Sequence, residues 1–245
     1  MNLASTANDP SRNSTQDTVD GDSISSLSEA AGGAGARDGY GLHVPPGAPR
    51  YPGDDGTGRG YPAEEEREED GTPILTNKFL REMIARERMS GLYRTPCLNE
   101  KLILHFKGFS EVGPNLAQFT NLKCLYFEGN GCRTLKGLEQ NVQLLSLYIQ
   151  ENIIEKVEGL ETLKKLRNLN LADNCLKTID GLAGCIELET LYLKRNRIGA
   201  GGGGVDDLRA LLECPSISTL DVADNYIDDP AIVDEVLAKM PNLKV

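Results

Sequence analysis

The chain has 245 residues, 26 basic side chains against 37 acidic ones and a formal charge of −11. The acidity is uneven: residues 1–75 hold 14 acidic and 5 basic residues, which leaves 23 and 21 for 76–245. A near-neutral part behind an acidic arm lacks the basic face that nucleic acid selects, so no nucleic-acid partner is expected. No apolar run approaches the roughly 18 residues of a membrane span, and no charged segment followed by an apolar one opens the chain. A cytosolic protein without membrane insertion is the expectation. Six cysteines could suggest bridges, but Cys132, Cys185 and Cys214 stand at apolar positions, which fits free buried thiols in a reducing compartment.

Residues 1–72 form an acidic, glycine-rich tail that includes Ala30-Ala31-Gly32-Gly33-Ala34-Gly35-Ala36 and the acidic run 64–70. Such a segment buries too little apolar area to offset ordering at about 1–2 kcal/mol per residue, so disorder is expected. Residues 73–98 read as a capping helix and linker. Thr76 is a suitable N-cap, Phe79, Leu80, Met83 and Ile84 share one face, and Gly91 ends the element. An amphipathic helix here would cover the apolar end of whatever stacks behind it.

Residues 99–245 repeat. Asn130, Asn152, Asn174 and Asn196 stand 22 residues apart and Asn225 follows after 29, each closing a Leu-x-x-Leu-x-Leu-type stretch. A fixed period of this composition marks leucine-rich repeats, about six of them. The expected fold is a right-handed α/β solenoid with a curved parallel sheet on its concave face. The first unit, residues 102–109, carries Lys107 where asparagine would stand, with an extra residue near Gly113-Pro114. Each later unit returns through apolar positions and a Gly-Leu pair, Gly137-Leu138, Gly159-Leu160 and Gly181-Leu182. The insertion after Asn196 coincides with the glycine-rich run 199–204. In the last unit, Asp229 and Pro230 start a helix expected to bury Ile232, Val233, Val236, Leu237 and Met240. Leu243-Lys244-Val245 then reads as the opening of a further strand, so the chain is expected to end inside a longer array.

Strand alternation places Leu125 and Phe127 inward and Tyr126 and Glu128 outward, and repetition aligns the outward positions into columns. One column reads Ile103, Tyr126, Tyr148, Asn170, Tyr192, Asp221; the next reads His105, Glu128, Gln150, Ala172, Lys194, Ala223; a third carries Glu151, Asp173, Arg195 and Asp224. Tyr126, Glu128, Tyr148, Gln150, Asn170, Tyr192, Lys194 and Asp221 are the candidate protein-binding residues, with the tyrosines as anchors. Asn130, Asn152, Asn174, Asn196 and Asn225 form a structural ladder whose amides would satisfy turn and inter-repeat backbone groups.

Catalytic, cofactor and metal sites are not expected, nor is a small-molecule substrate. Gly199-x-Gly201-x-x-Gly204 matches a dinucleotide fingerprint: it follows strand 191–193, precedes a helix over 205–213, and Asp221 lies about 20 residues on. The strand already belongs to the fifth repeat, however, and a one-layer solenoid offers no crevice where strand order reverses. His105, Cys97 and Cys124 lack paired metal-ligand spacing. Nothing points to an enzyme.

The unit with Gly-Leu in its return is similar to the repeats of phosphatase regulatory subunits, which gives the alternative function of a phosphatase-regulating scaffold. More specific are Tyr93-Arg94-Thr95-Pro96-Cys97-Leu98-Asn99, the run 102–109, Leu122-Lys123-Cys124-Leu125, Asp228-Asp229-Pro230-Ala231-Ile232 and Met240-Pro241-Asn242-Leu243. Over about residues 74–245 these stretches resemble the leucine-rich-repeat axonemal dynein assembly factors of the outer-dynein-arm type. The tail does not match, the glycine insertion departs from the pattern, and that family's later repeats and long C-terminal region are not here. The resemblance implies a non-enzymatic scaffold of the cytoplasm and the cilium or flagellum. It would be required for cytoplasmic preassembly of dynein arms and would bind axonemal dynein chains or assembly co-chaperones.

Overall fold

The computed structural model describes residues 68–69, 71–86 and 91–244. The disorder expected over 1–72 therefore lies almost wholly outside the described residues. Glu68 is already engaged: it donates its N–H to Thr72 O at 2.9 Å and accepts the Ser110 hydroxyl at 3.0 Å.

Helix α1 (Asn77–Arg86) starts as its sequence predicts, with the Phe79 N–H donating to Thr76 Oγ1 at 3.1 Å. Its apolar face, Phe79, Leu80, Met83 and Ile84, is buried, and Phe79 meets Phe109 edge-on at 5.2 Å. Phe109 in turn stacks on Phe127 at 5.9 Å. Three aromatic rings thus tie the helix to the first two repeats and keep water from the end of the apolar column.

Behind it lie six strands of three residues: β1 (Lys101–Ile103), β2 (Cys124–Tyr126), β3 (Ser146–Tyr148), β4 (Asn168–Asn170), β5 (Thr190–Tyr192) and β6 (Thr219–Asp221). They pair in parallel in chain order, so strand n touches only its sequence neighbours. The centres Leu102, Leu125, Leu147, Leu169 and Leu191 are fully buried, and Leu220 of β6 is half-buried. Parallel sheets are usually covered on both faces. Here one face packs on the repeats' own return segments and the other is left to solvent.

The returns need little regular structure. Between β1 and β2 the chain forms a 3₁₀ segment, Pro114–Gln118, behind Gly113. The extra residue of this unit falls there: fully buried Val112 and Leu116 are four apart, where Leu135 and Leu138, Val157 and Leu160, and Ile179 and Leu182 are three apart. Between β5 and β6 the insertion becomes the 3₁₀ segment Gly204–Glu213, which buries Leu208 and Leu211. Two glycines are fixed by close approach at positive φ. A Cβ on Gly181, the glycine of a Gly-Leu pair, would strike the Val157 carbonyl of the preceding unit, and one on Gly199 would strike the Tyr226 carbonyl of the following unit.

The C-terminal helix differs from its sequence reading. Helix α2 (Ala231–Glu235) has only five residues and passes into the 3₁₀ segment Leu237–Lys239. Asp229 Oδ1 accepts the Ala231 N–H at 2.9 Å, so the aspartate does hold the start. Ile232, Val236 and Met240 are buried, but Val233 is 56% exposed, because so short a helix presents one stripe to its support and Val233 falls beside it. No strand is assigned at 243–244. Lys244 N–H nonetheless donates to Ser218 O at 3.2 Å, as Ser218 N–H donates to Glu189 O one rung earlier.

All six cysteines are free, and Cys132, Cys185 and Cys214 sit in the apolar columns. Burial pushes the Cys185 thiol up to about 12, and the Cys132 and Cys214 thiols up to about 11. An unfolded thiol ionises near 8.5. Below that value both states keep the proton; as pH rises toward 11 only the unfolded chain releases it, so stability falls. Urea midpoints measured from pH 8 to about 10.5 are expected to decline. The decline should be shallower in a Cys132/Cys185/Cys214→Ala variant; an equal slope would remove the thiols as its cause.

A tyrosine-bearing concave face

The asparagine ladder fixes the spacing on which the exposed face depends. Asn152 shows the arrangement: its Oδ1 accepts the Cys132 N–H of the preceding unit at 2.9 Å, while Nδ2 donates to Phe127 O at 3.1 Å and Ile149 O at 3.0 Å. Asn174 and Asn196 repeat it with Ile154 and Leu176 as donors, and Asn225 with Ile198. Asn130 accepts from both Lys107 N–H and Phe109 N–H, so the first unit is served from the second. Each amide bridges one rung to the last.

The residue before each ladder position has positive φ: Phe106, Glu151, Asp173, Arg195 and Asp224, with Gly129 at the same place in the second unit. This turn swings the third column to the rim of the sheet. Arg195 there forms a two-pronged pair with Asp173, Nη2 to Oδ2 at 2.8 Å, and the bond and charge of Asp173 hold its guanidinium above its ordinary range.

On the sheet itself the candidate residues fall into two groups. Tyr126 and Tyr148 stack, 4.8 Å between centroids and 13° between planes, and Lys101 Nζ lies 5.0 Å over the Tyr126 ring. Asn170 follows, its Oδ1 accepting the Ala172 N–H at 3.1 Å. Tyr192 comes next, 39% exposed, and then Asp221, which accepts from Ala223 as Asn170 does from Ala172. The structure therefore brings two of the three tyrosines into contact and sets the third two rungs beyond, across Asn170. In the neighbouring column Glu128 accepts from or pairs with His105 Nδ1 at 3.1 Å, Gln150 is half-buried, and Lys194 lies 3.6 Å from Asp224.

Two buried residues were missed by the sequence reading. Asn99, 2% exposed, stands two residues before β1, where later units place Leu122, Leu144, Leu166, Leu188 and Ile217. It receives the Tyr93 N–H at 2.7 Å and donates to Tyr93 O at 2.9 Å, which closes the loop 93–99. Asn141 occupies the column of Phe119, Leu163, Cys185 and Cys214, fully buried, donating to Leu116 O and Phe119 O. Aligning each unit on its strand would have exposed both as polar residues at apolar positions.

The glycine fingerprint does not build a nucleotide site. The strand order never reverses, and the helix after the glycines is a 3₁₀ segment whose first turn carries Asp206 and Asp207. Among the described residues no cluster of histidine, cysteine or carboxylate side chains could hold a metal, and no helix is long and apolar enough to cross a membrane.

A family model described as leucine rich repeats (2 copies) matches residues 141–184 and 164–201. The leucine-rich repeat-containing protein ODA7 of Chlamydomonas reinhardtii is 53% identical over 157 residues, 64% of this chain and 35% of that protein. A dynein axonemal assembly factor 1 homolog of Drosophila pseudoobscura pseudoobscura is 47% identical over 189 residues, 76% of this chain and 11% of that protein. The chain is a leucine-rich-repeat protein, similar over these spans to relatives named as axonemal dynein assembly factors. It spans about a third of its algal relative and about a tenth of the fly one. Among solved structures, an internalin of Listeria monocytogenes superposes with a TM-score of 0.54 at 24% identity, covering 67% of this chain and 47% of that one. A leucine-rich-repeat protein of Leptospira interrogans gives 0.51 at 21% identity, with 59% and 36% covered. Those two likenesses concern the fold alone.

Proposed function

We propose that this chain is a non-enzymatic protein-binding scaffold for axonemal dynein arm assembly, acting in cytoplasmic preassembly and hence needed by motile cilia and flagella. Its concave face holds an axonemal dynein chain or an assembly co-chaperone. The relatives named as dynein axonemal assembly factors support the process. The observation that carries the surface is the stacked Tyr126–Tyr148 pair, a half-buried aromatic platform on the sheet with exposed Tyr192 beyond it. Aromatic anchors with few rotatable bonds lose little entropy on binding, which is why interfaces concentrate their energy in them.

The test is capture of axonemal dynein chains from the cytoplasm of ciliated cells on the purified protein and on its Tyr126/Tyr148/Tyr192→Ala variant. Removing three anchors at about 1–2 kcal/mol each should lower recovery by well over about tenfold. Unchanged recovery would move the contact to another face. Phosphatase activity copurifying in place of dynein chains would favour the phosphatase-regulating scaffold instead.

A further inference from the structure

We propose that the rung occupied by Asn170 is a slot in the tyrosine column that receives one arginine of the bound protein, its guanidinium seated between Tyr148 and Tyr192. The inference rests on the concave face being the protein-binding surface and names what that surface recognises. Strand register sets Tyr126 beside Tyr148, Tyr148 beside Asn170, and Asn170 beside Tyr192. Where two tyrosines are neighbours their rings stack at 4.8 Å, so one rung of sheet is one ring-to-ring step. Tyr148 and Tyr192 are two rungs apart, about 10 Å by the same step. The side chain between them is short and is drawn down by its bond to the Ala172 N–H. The adjoining position in the next column is alanine, Ala172, so that side of the slot is open. Tyr192 is correspondingly more exposed than Tyr126 or Tyr148.

A flat group at the middle of a roughly 10 Å gap lies about 5 Å from each ring, inside the roughly 6 Å reach of a cation–π contact. A tyrosine of this column already has a cation at that distance, Lys101 Nζ from the adjoining strand at 5.0 Å from the Tyr126 centroid. Two electron-rich ring faces favour a cation over a third aromatic ring, and the surrounding charge agrees. The face carries Glu128, Glu151, Asp173, Asp221 and Asp224 against Lys101, Lys194 and Arg195, and the last two bases are held by Asp224 and Asp173. Asp221 is the next rung after Tyr192. A guanidinium is planar and stacks, whereas an ammonium is a strongly hydrated point charge, so the slot selects arginine over lysine.

The full chain, isotope-labelled, is titrated with acetyl-Gly-Arg-Gly-amide and with the lysine and phenylalanine counterparts while its amide resonances are followed. Saturable shifts are expected at Tyr148, the Asn170 side-chain amide, Ala172 and Tyr192 with the arginine peptide, about fivefold weaker with lysine. Asn170→Tyr fills the slot with a ring that continues the column, and should abolish the shifts with an unchanged or raised thermal midpoint. Tyr192→Ala, which removes one wall, is the second variant should Asn170→Tyr disturb the fold. No saturable shift at these residues, or an equal response to the phenylalanine peptide, overturns the slot. In dynein-chain capture, loss of recovery in the triple tyrosine variant with full recovery in Asn170→Tyr sinks the slot and leaves the surface; full recovery in both sinks the surface reading itself.

Discussion

Phe109→Ala is expected to lower the unfolding free energy by about 3–5 kcal/mol. Phe109 is 1% exposed and touches Phe79 on one side and Phe127 on the other. Alanine leaves a cavity where α1, the first unit and the second unit meet. Because each unit is stabilised by its neighbours, the damage is directional: α1 and β1 should open first. Equilibrium urea unfolding gives the total, and hydrogen exchange gives the direction, with the amides of residues 79–84 losing protection before those of β4. Uniform loss of protection along the array would mean that α1 is not a cap but one part of a single cooperative block.

Asn174→Ala is the second large effect, about 1–3 kcal/mol, and the hydrogen bonds around it show which group causes it. The carbonyls that Asn174 serves keep other donors: Ile149 O has Asn152, Leu171 O has Asn196, and Ala172 O has the Glu151 N–H. The Ile154 N–H, whose acceptor is Asn174 Oδ1 at 3.1 Å, is the group left buried and unpaired. Asn225→Ala should therefore cost less, since its rung is partly open and water can replace the amide at the Ile198 N–H. Urea midpoints of the two variants decide it; equal losses would show that desolvation of the orphaned donor is not the cause.

Local features of the amino-acid order gave the period, the ladder, the cap helix and the columns, because each of these repeats or sits within a few residues of its own signal. The N-cap at Thr76 and the buried stripe of α1 are of this kind. The likeness to axonemal dynein assembly factors was visible in the irregular stretches that flank the repeats, where the sequence is not constrained by the period alone. The shortness of α2 was not legible: its apolar residues suit a longer helix, and only the support beneath it leaves Val233 in water.

That the chain is a leucine-rich-repeat solenoid follows from the amino-acid order alone, since a 22-residue unit with alternating apolar positions can bury its face only against copies of itself. What lies beside what across that repeat was decided by the tertiary structure. Asn141 occupies an apolar column because the carbonyls it serves, Leu116 O and Phe119 O, belong to the preceding unit. The tyrosines share one column in the sequence, yet ring stacking reaches only the adjacent strand, so Tyr126 and Tyr148 form a pair and Tyr192 stands apart across Asn170. Contact between rungs depends on a distance of one strand spacing, which periodicity counts but does not measure.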